Sequence, residues 1–317
     1  MEKKYKLTDE TIKLNGVTLY RIEALKDFGE IKKGDKGGFI ESENNLVHDG
    51  DAWVSDNAWV YGSACVYGDA CVFGCACVYD NALVSGNGQV YGNARVCGNA
   101  RVYNHACVHG DACLFDNALV YGNALVYGNA HVFGDACVSD NARVSGNASV
   151  CGNAQVYVHA CVYGDARVYG DALVYDNALV YGNAHVSGDA CVSDNARVCG
   201  HARVYGNARV CGNARVYNHA CVYGDARVYG DALVRGDACV CGDAEISNKS
   251  DYIVFQNWWS SGRYFTWTRS NNMWSVGCFY GTGEELIKKA YKDSELSGRE
   301  YERIVKYVEE IRKENGK

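Results

Sequence analysis

Cysteine and histidine are the residues of this chain with the most versatile chemistry, and the sequence contains 17 of the first and 8 of the second. Thiolate and imidazole groups ligate metals, and both can act in nucleophilic or acid–base catalysis. The clearest cysteine cluster is Cys221, Cys239 and Cys241, in which the first two are 18 residues apart and should stack, and the last two share a face. Three thiolates resemble a zinc ligand set that lacks its fourth member, so this trio is an incomplete metal candidate. The alternative is that the cysteines only fill outward strand positions.

A six-residue repeat between Asp49 and Ile246 positions these side chains. Each of its 33 hexads reads approximately Tyr-Gly-Asn/Asp-Ala-x-Val, without insertion or deletion. In Ala-x-Val-Tyr the side chains alternate as in a strand, so Ala and Val share one face while x and Tyr share the other. The following Gly, Asp, Asn or His residues form turns. Three strands and three corners make an 18-residue triangular coil. The sequence therefore predicts a solenoid of about 11 coils with Ala and Val inside.

The corners carry a conformational prediction. Wherever Asp occupies the second hexad position the third is Asn, and Val158 in the second position precedes His159. A β-branched residue at positive φ is costly, whereas Asn, Asp and His tolerate that conformation. We therefore expect the third position to be left-handed, and Val158 to be free of strain.

Outward side chains that are 18 residues apart should stack on successive coils. The first hexad position is mostly Tyr or Phe, which predicts aromatic ladders that stabilise the sheet by cross-strand contact. The expected pairs are Tyr103–Tyr121, Phe115–Phe133, Tyr157–Tyr175, Tyr163–Tyr181 and Tyr205–Tyr223.

Composition excludes several classes of protein. The net charge of −7 argues against a nucleic-acid partner. No apolar run approaches the ~18 residues of a membrane span. The cysteine spacing gives no disulfide framework, and so many surface thiols predict a reducing, cytoplasmic location.

The hexads and the segment that leads into them resemble a known family. That segment contains Leu19-Tyr20-Arg21-Ile22, Asp27-Phe28-Gly29 and Gly37-Gly38-Phe39-Ile40-Glu41. Together they resemble the YdcK-like β-solenoid proteins of bacteria and prophages, which are hexapeptide-repeat left-handed parallel β-helices. The resemblance, and not the composition, implies left-handed winding. It also implies a phage or prophage accessory role in which a host factor is bound or inhibited.

The same resemblance supplies an alternative function. Many hexapeptide-repeat proteins are acyltransferases that use acyl-coenzyme A, with an active site built from an extruded loop and a His at a subunit boundary. The 33 hexads here contain no extruded loop, and His105, His159, His201 and His219 occupy corner positions. No catalytic residue and no cofactor are therefore predicted.

The two ends should differ from the shaft, because an open β-helix exposes unpaired backbone and needs caps. Residues 1–48 are predicted as an N-terminal β cap, with strands near Lys4–Leu7, Thr11–Leu14 and Thr18–Ala24. Residues 49–246 form the β-helix. Residues 247–317 are predicted as a small α+β domain of three strands and two helices.

The C-terminal domain has a more detailed prediction. Its expected strands are Tyr252–Gln256, Tyr264–Thr268 and Met273–Phe279. Its helices should begin at capping boxes, Thr282 with Glu285 and Ser297 with Glu300, and end near Asp293 and Glu314. The apolar stripe of the second helix is Tyr301, Ile304, Val305, Val308 and Ile311, and Trp267 and Trp274 are expected in the core.

The expected function is a non-enzymatic β-solenoid scaffold that binds through its ends. The block that begins at Tyr91 recurs from Tyr205, rotated by one face, as though hexads were copied without regard to side. That pattern predicts a spacer shaft, with specific contacts at the ends. Adjacent Trp residues cannot both point inward from a strand. The candidate contact residues, for a protein partner or for self-association into a homo-oligomer, are Trp258, Trp259, Arg263 and Arg269.

Overall fold

The computed structural model describes residues 2–14 and 16–315, which form two compact units, Met1–Gly188 and Asp189–Lys317. This division falls inside the repeats, and the predicted boundaries at 48 and 246 stay predictions. The first hexad strand is Trp53–Val54 and the last is Glu245–Ile246.

The first unit begins with an antiparallel hairpin of Tyr5–Leu14 and Val17–Ala24. A shift in register between Leu7 and Thr11 bends its first strand, which the sequence had divided into two. Lys36–Ile40 then pairs antiparallel with the hairpin and parallel with Trp59–Val60. The hairpin is thereby joined to the first repeat strands, as expected for an N-terminal cap.

The hexads of the first unit form three parallel stacks in which each strand pairs with the strand 18 residues later. One stack contains Trp59–Val60, Cys77–Val78, Arg95–Val96, Cys113–Leu114, His131–Val132, Ser149–Val150, Arg167–Val168 and His185–Val186. The second contains Trp53–Val54, Cys71–Val72, Gln89–Val90, Cys107–Val108, Leu125–Val126, Arg143–Val144, Cys161–Gly164 and Leu179–Gly182. The third contains Cys65–Val66, Leu83–Val84, Arg101–Val102, Leu119–Val120, Cys137–Val138, Gln155–Val156 and Leu173–Val174.

The second unit repeats this arrangement with ten hexad strands. Its stacks are Arg203–Val204, Cys221–Val222 and Cys239–Val240; Arg197–Val198, Arg215–Val216 and Leu233–Val234; and Cys191–Val192, Arg209–Val210, Arg227–Val228 and Glu245–Ile246. In both units the Ala and Val side chains at the fourth and sixth hexad positions are buried to within 1% of complete burial. The predicted parallel β-solenoid is confirmed, and its left-handed winding stays a prediction.

The predicted aromatic ladders are confirmed. All five expected pairs stack, with ring centroids 4.7–5.1 Å apart, and His109 forms a further rung between Tyr91 and Tyr127. Burial in that rung lowers the pKa of His109, because an apolar setting disfavours the charged imidazole.

The prediction for the corners is wrong. The left-handed residue is the second of the hexad, which is Gly in most hexads, and Val158 has φ 63°. Asp140 and Asp176, which occupy the same position one coil before and one coil after, have φ 57° and 58°. Gly suits this position because it takes positive φ freely and lets successive corners approach closely. An added Cβ on Gly122 would lie 2.7 Å from the backbone nitrogen of Asp140.

The C-terminal domain follows the last hexad of the second unit. Its antiparallel sheet has four strands, Tyr252–Gln256, Tyr264–Thr268, Met273–Val276 and Phe279–Gly281. The predicted third strand is therefore divided at Gly277, which has φ 58°. Two helices follow, α1 (Gly283–Asp293) and α2 (Glu295–Asn315).

One of the two predicted helix starts is confirmed. Thr282 and Glu285 form the capping box of α1. Helix α2 begins earlier than predicted, because the chain turns directly after α1. The backbone N–H of Ser297 donates to Ser294 Oγ at 3.1 Å, so Ser294 and not Ser297 caps the first turn.

The domain core has the predicted members. Trp267 and Trp274 are 1% and 2% exposed, and they pack with Phe265 against the apolar stripe of α2. Neither helix of the described residues is long and apolar enough to span a membrane.

Side-chain oxygens of this domain close the free edge of the last coil. Strands at a solenoid end carry backbone N–H groups without a next coil to receive them. The N–H groups of Arg235, Cys239 and Glu245 donate instead to Tyr252 Oη, Thr266 Oγ1 and Ser270 Oγ, at 3.3, 2.8 and 2.7 Å. Each stack of the second unit thus ends on a side chain of the C-terminal domain.

Candidate partner-binding site on the C-terminal domain

The loop of residues 257–263 joins the first two strands of the C-terminal sheet and is fixed by its own hydrogen bonds. The backbone N–H of Asn257 donates to the Arg263 carbonyl at 2.8 Å, and that of Gly262 donates to the Asn257 carbonyl at 3.0 Å. Gln256 Nε2 donates to the Gly262 carbonyl at 3.1 Å. Asn257 Nδ2 also donates to the Tyr301 hydroxyl at 3.2 Å, which attaches the loop to α2.

The two adjacent tryptophans of this loop have different environments, as the sequence predicts. Trp259 contacts the rings of Tyr301 and Phe265 edge-on, at 5.1 and 6.3 Å between centroids, and is half-buried. Trp258 is 77% exposed, the most exposed of the large apolar side chains in the described residues. Trp259 therefore holds the loop on the core, while Trp258 is presented to solvent.

A recess of about 390 Å³ lies beside this loop, among the sheet and both helices. It is lined by Asn257, Arg263, Cys278, Phe279 and Lys289, together with Ser260, Ser261, Val276, Leu286, Ala290, Asp293, Ser297 and Tyr301. The Nζ of Lys289 lies 5.4 Å from the centroid of the Phe279 ring, a cation–π contact. The lining carries two cations and one carboxylate, and it contains no histidine.

One polar atom of the recess lining is buried without a hydrogen-bond partner. The Asn257 side chain is 5% exposed, and its Oδ1 accepts no hydrogen bond, although its Nδ2 donates. A buried acceptor without a donor is costly. Burial also raises the pKa of the Tyr301 hydroxyl, which therefore stays protonated at neutral pH. The recess offers an acceptor and cationic donors, a combination suited to binding a polar group.

The four predicted contact residues do not form one patch. Trp258, Trp259 and Arg263 belong to the loop, but Arg269 lies beyond the other end of strand Tyr264–Thr268, ~20 Å away at ~3.4 Å per residue. The Arg269 N–H donates to the Asp251 carbonyl at 2.8 Å, beside the solenoid edge. Arg269 is therefore a junction residue.

Cys221, Cys239 and Cys241 do not form a metal centre. Cys221 and Cys239 are in register on neighbouring strands. In the described residues, however, no group of three or more His, Cys, Asp or Glu side chains could hold a metal ion. Cys241 is 2% exposed and hydrogen-bonds with Cys239, which lowers the pKa of Cys239 and raises that of Cys241. The pair is part of the packing beneath the C-terminal sheet.

Comparison with known families bears on the repeats. The YdcK β-solenoid repeat matches eight segments, residues 76–92, 94–110, 118–134, 136–152, 172–188, 196–212, 208–224 and 220–236. These are YdcK β-solenoid repeats. The matched segments end at residue 236, so the match says nothing of the C-terminal domain. No curated protein matches the chain.

The family match therefore confirms the resemblance and the fold, and it leaves function open. The phage role, the host factor, acyl transfer and the cytoplasmic location stay predictions. Sequence reasoning also missed Asn257, Lys289 and Tyr301 as members of the recess. The available sequence signals were the position of Asn257 next to the paired tryptophans and the place of Tyr301 in the apolar stripe of the second helix.

Proposed function

We propose that this YdcK-type β-solenoid is a non-enzymatic scaffold that binds a protein partner through its C-terminal domain. The contact surface is the loop face, defined as Trp258, Arg263 and the adjacent recess. The observation that carries the proposal is the 77% exposure of Trp258 on a loop tied down by backbone and side-chain hydrogen bonds. Trp and Arg are enriched among the residues that contribute most to protein interfaces, and a rigid anchor loses little entropy on binding.

The chemistry of the loop face indicates what the partner presents. Trp258 requires an apolar pocket on the partner surface. Arg263 and Lys289 outnumber Asp293 in the recess, so an acidic side chain next to that pocket would be complementary. Asn257 Oδ1 would accept a hydrogen bond from an N–H or O–H group of the partner that enters the recess together with the acidic side chain.

The acyltransferase alternative has less support from this fold. In each unit every hexad contributes a strand, with no loop extruded between successive strands. The resemblance also predicts a phage or prophage setting, in which the partner is a host factor. Identification of the bound protein tests that prediction.

The experiment compares two exposed aromatic side chains of the same domain. Full-length protein, Trp258→Ala and the matched control Tyr307→Ala, whose residue is 55% exposed on α2, are recovered from bacterial lysate and examined by native mass spectrometry. The partner is then purified and its affinity for each variant measured. Loss of a Trp anchor costs about 2 kcal/mol or more, which corresponds to at least ~30-fold weaker binding.

The expected result is a defined complex that Trp258→Ala weakens by that factor and Tyr307→Ala leaves unchanged. Equal binding by all three proteins would refute the loop face as the contact. A homo-oligomer dissociated by Trp258→Ala would place self-association there instead. A bound mass equal to coenzyme A, with saturable acyl-coenzyme A binding by calorimetry, would support the acyltransferase.

A further inference from the structure

One aromatic ladder of the first unit has a missing rung. Phe115 and Phe133 stack with centroids 4.7 Å apart, but the next residue in register is Cys151, which is followed by Tyr169. Backbone bonds from Phe133 N to the Val150 carbonyl and from Cys151 N to the Val168 carbonyl, each 3.0 Å, hold these positions in register. With neighbouring strands ~4.8 Å apart, Phe133 and Tyr169 are separated by ~9.6 Å. One planar ring fits between them at ~4.8 Å from each, a normal stacking distance.

The position of the missing rung is open. A recess of about 400 Å³ lies there, lined by Phe133, Cys151 and Tyr169, by His131, Ser149, Arg167 and His185 on the adjacent column, and by the corner residue Asn147. Tyr169 is 39% exposed and lies edge-on to His185, with an interplanar angle of 76°. In complete ladders the rings are within 9° of parallel. Tyr169 has no aromatic side chain in register with it at Cys151, one coil earlier.

Two other interrupted rungs of the first unit are closed. Ser139 lies between Tyr121 and Tyr157 in its ladder and is 4% exposed, and Cys97 is 9% exposed between Tyr79 and Phe115. A small residue in a ladder therefore does not by itself create a recess. At Cys151 the neighbouring Ser149 is also small, so short side chains at two adjacent outward positions leave a depression in the surface.

The column beside the missing rung carries one arginine. His131, Ser149, Arg167 and His185 follow one another in register on successive strands and present their side chains outward. Two neighbouring corner carboxylates, Asp165 and Asp171, already accept hydrogen bonds from asparagine side chains at 2.9 and 2.8 Å. Arg167 and Ser149 thus offer donors within the recess, next to the stacking position.

Cys151 suits the floor of a ring-binding slot. Burial raises the pKa of its thiol, so it is uncharged at neutral pH. A neutral sulfur makes favourable contact with aromatic rings.

We propose that this rung slot, formed by Phe133, Cys151 and Tyr169 with Arg167 and Ser149 at its side, binds a planar aromatic anion. The ligand ring occupies the missing rung between Phe133 and Tyr169. Its carboxylate or phosphate group accepts hydrogen bonds from the Arg167 guanidinium and the Ser149 hydroxyl. The slot lies in the first unit and shares no residue with the loop face, so either proposal can fail without the other.

The test is fluorescence titration of the full chain with 2-naphthoate. Cys151→Tyr supplies the missing rung and fills the slot. The matched control is Ser145→Tyr, which fills an interrupted ladder between Tyr127 and Tyr163 on another stack. Arg167→Gln removes the cation. We expect saturable binding by the wild type and by Ser145→Tyr, at least a tenfold loss with Arg167→Gln, and no measurable binding by Cys151→Tyr.

Competition experiments separate the two parts of the ligand. Neutral 2-naphthamide should bind at least tenfold more weakly than 2-naphthoate. Neither cyclohexanecarboxylate nor inorganic phosphate should displace bound 2-naphthoate. Equal affinity of Cys151→Tyr and wild type would overturn the proposal, as would absence of saturable binding by the wild type. The proposal would also be overturned if inorganic phosphate displaced bound 2-naphthoate at concentrations similar to that of 2-naphthoate itself, since the aromatic ring would then contribute nothing to affinity. Thermal unfolding of both tyrosine variants verifies that they are folded.

Discussion

Val158 provides the most direct test of the corner geometry. It is a β-branched residue at φ 63°, in a position where the structure otherwise has Gly, Asp or Asn. Its hexad, Tyr157 to Val162, differs from the hexad Tyr103 to Val108 only in having Val where the other has Asn104. Val158→Asn therefore makes the two hexads identical, and Asn104→Val is the reverse change at φ 61°.

The expected magnitude follows from the cost of the left-handed conformation. For an L-residue that cost is ~1–2 kcal/mol, and Asn offsets part of it by local hydrogen bonding. Val158 is half-buried, so its replacement loses some apolar contact. We expect Val158→Asn to raise the free energy of unfolding by ~1 kcal/mol, and Asn104→Val to lower it by a similar amount. In a unit of this size ~1 kcal/mol corresponds to ~2–4 °C in Tm.

The assay is reversible urea unfolding followed by far-ultraviolet circular dichroism, with m-values compared between variants because repeat proteins can lose cooperativity. Val158→Gly is a third variant. It relieves the same strain but adds ~0.5–1 kcal/mol of backbone entropy cost, so its gain should be smaller than that of Asn. If Val158→Asn is neutral or destabilising while Asn104→Val costs nothing, the left-handed assignment of the second hexad position is wrong.

Two further predictions concern the ends of the molecule. Thr266→Val removes the oxygen that accepts the Cys239 N–H at 2.8 Å, and should lower the free energy of unfolding by ~1–3 kcal/mol in urea unfolding, because a buried donor is left unpaired; an unchanged midpoint would show that this bond does not stabilise the cap. Lys4 is 1% exposed, its Nζ donates to the Gly50 carbonyl at 3.1 Å, and burial lowers its pKa to about 8 despite the nearby Asp49 and Asp51. Between pH 8 and the ordinary pKa of 10.5 the unfolded chain then binds more protons than the folded one, so stability rises with pH. From pH 7 to 9 the free energy of unfolding of the wild type should rise by ~1 kcal/mol relative to that of Lys4→Met. Parallel curves of stability against pH for the two proteins would contradict this.

The repeats made the solenoid predictable because a single period fixes the strand, the inward face and the register together. Ala and Val in alternation fix the core, and the 18-residue coil places Phe115 on Phe133 without further information. The prediction of which corner residue is left-handed was wrong for a physical reason. Val158 suggests that the second position has negative φ, whereas it is a strained exception at φ 63°. The recurrence of Gly at that position was the stronger signal for positive φ.

The candidate sites were only partly predictable. The sequence indicated that one of two adjacent tryptophans would be exposed, but not that Arg269 would lie beyond the far end of its strand. The recess depends on how α1 packs on the sheet, because its lining combines Lys289 of α1 with Asn257 of the loop. Predicting the rung slot from the sequence would require knowing that Ser139 and Cys97 are buried whereas Cys151 lines an open recess. Such differences arise from side-chain orientations that a shared repeat does not encode.

The C-terminal domain combines two roles that a deletion experiment would confuse. Its strands end the solenoid by accepting the N–H groups of Arg235, Cys239 and Glu245. Its loop face, which is Trp258, Arg263 and the adjacent recess, depends on the contacts of Trp259 and Asn257 with Tyr301 of the same domain. Removing the domain would expose a sheet edge that invites non-specific pairing, so any loss of partner binding would have two causes. None of the three hydrogen bonds that end the solenoid involves Trp258. Its substitution should therefore change binding and leave the cap intact, which makes it the informative perturbation.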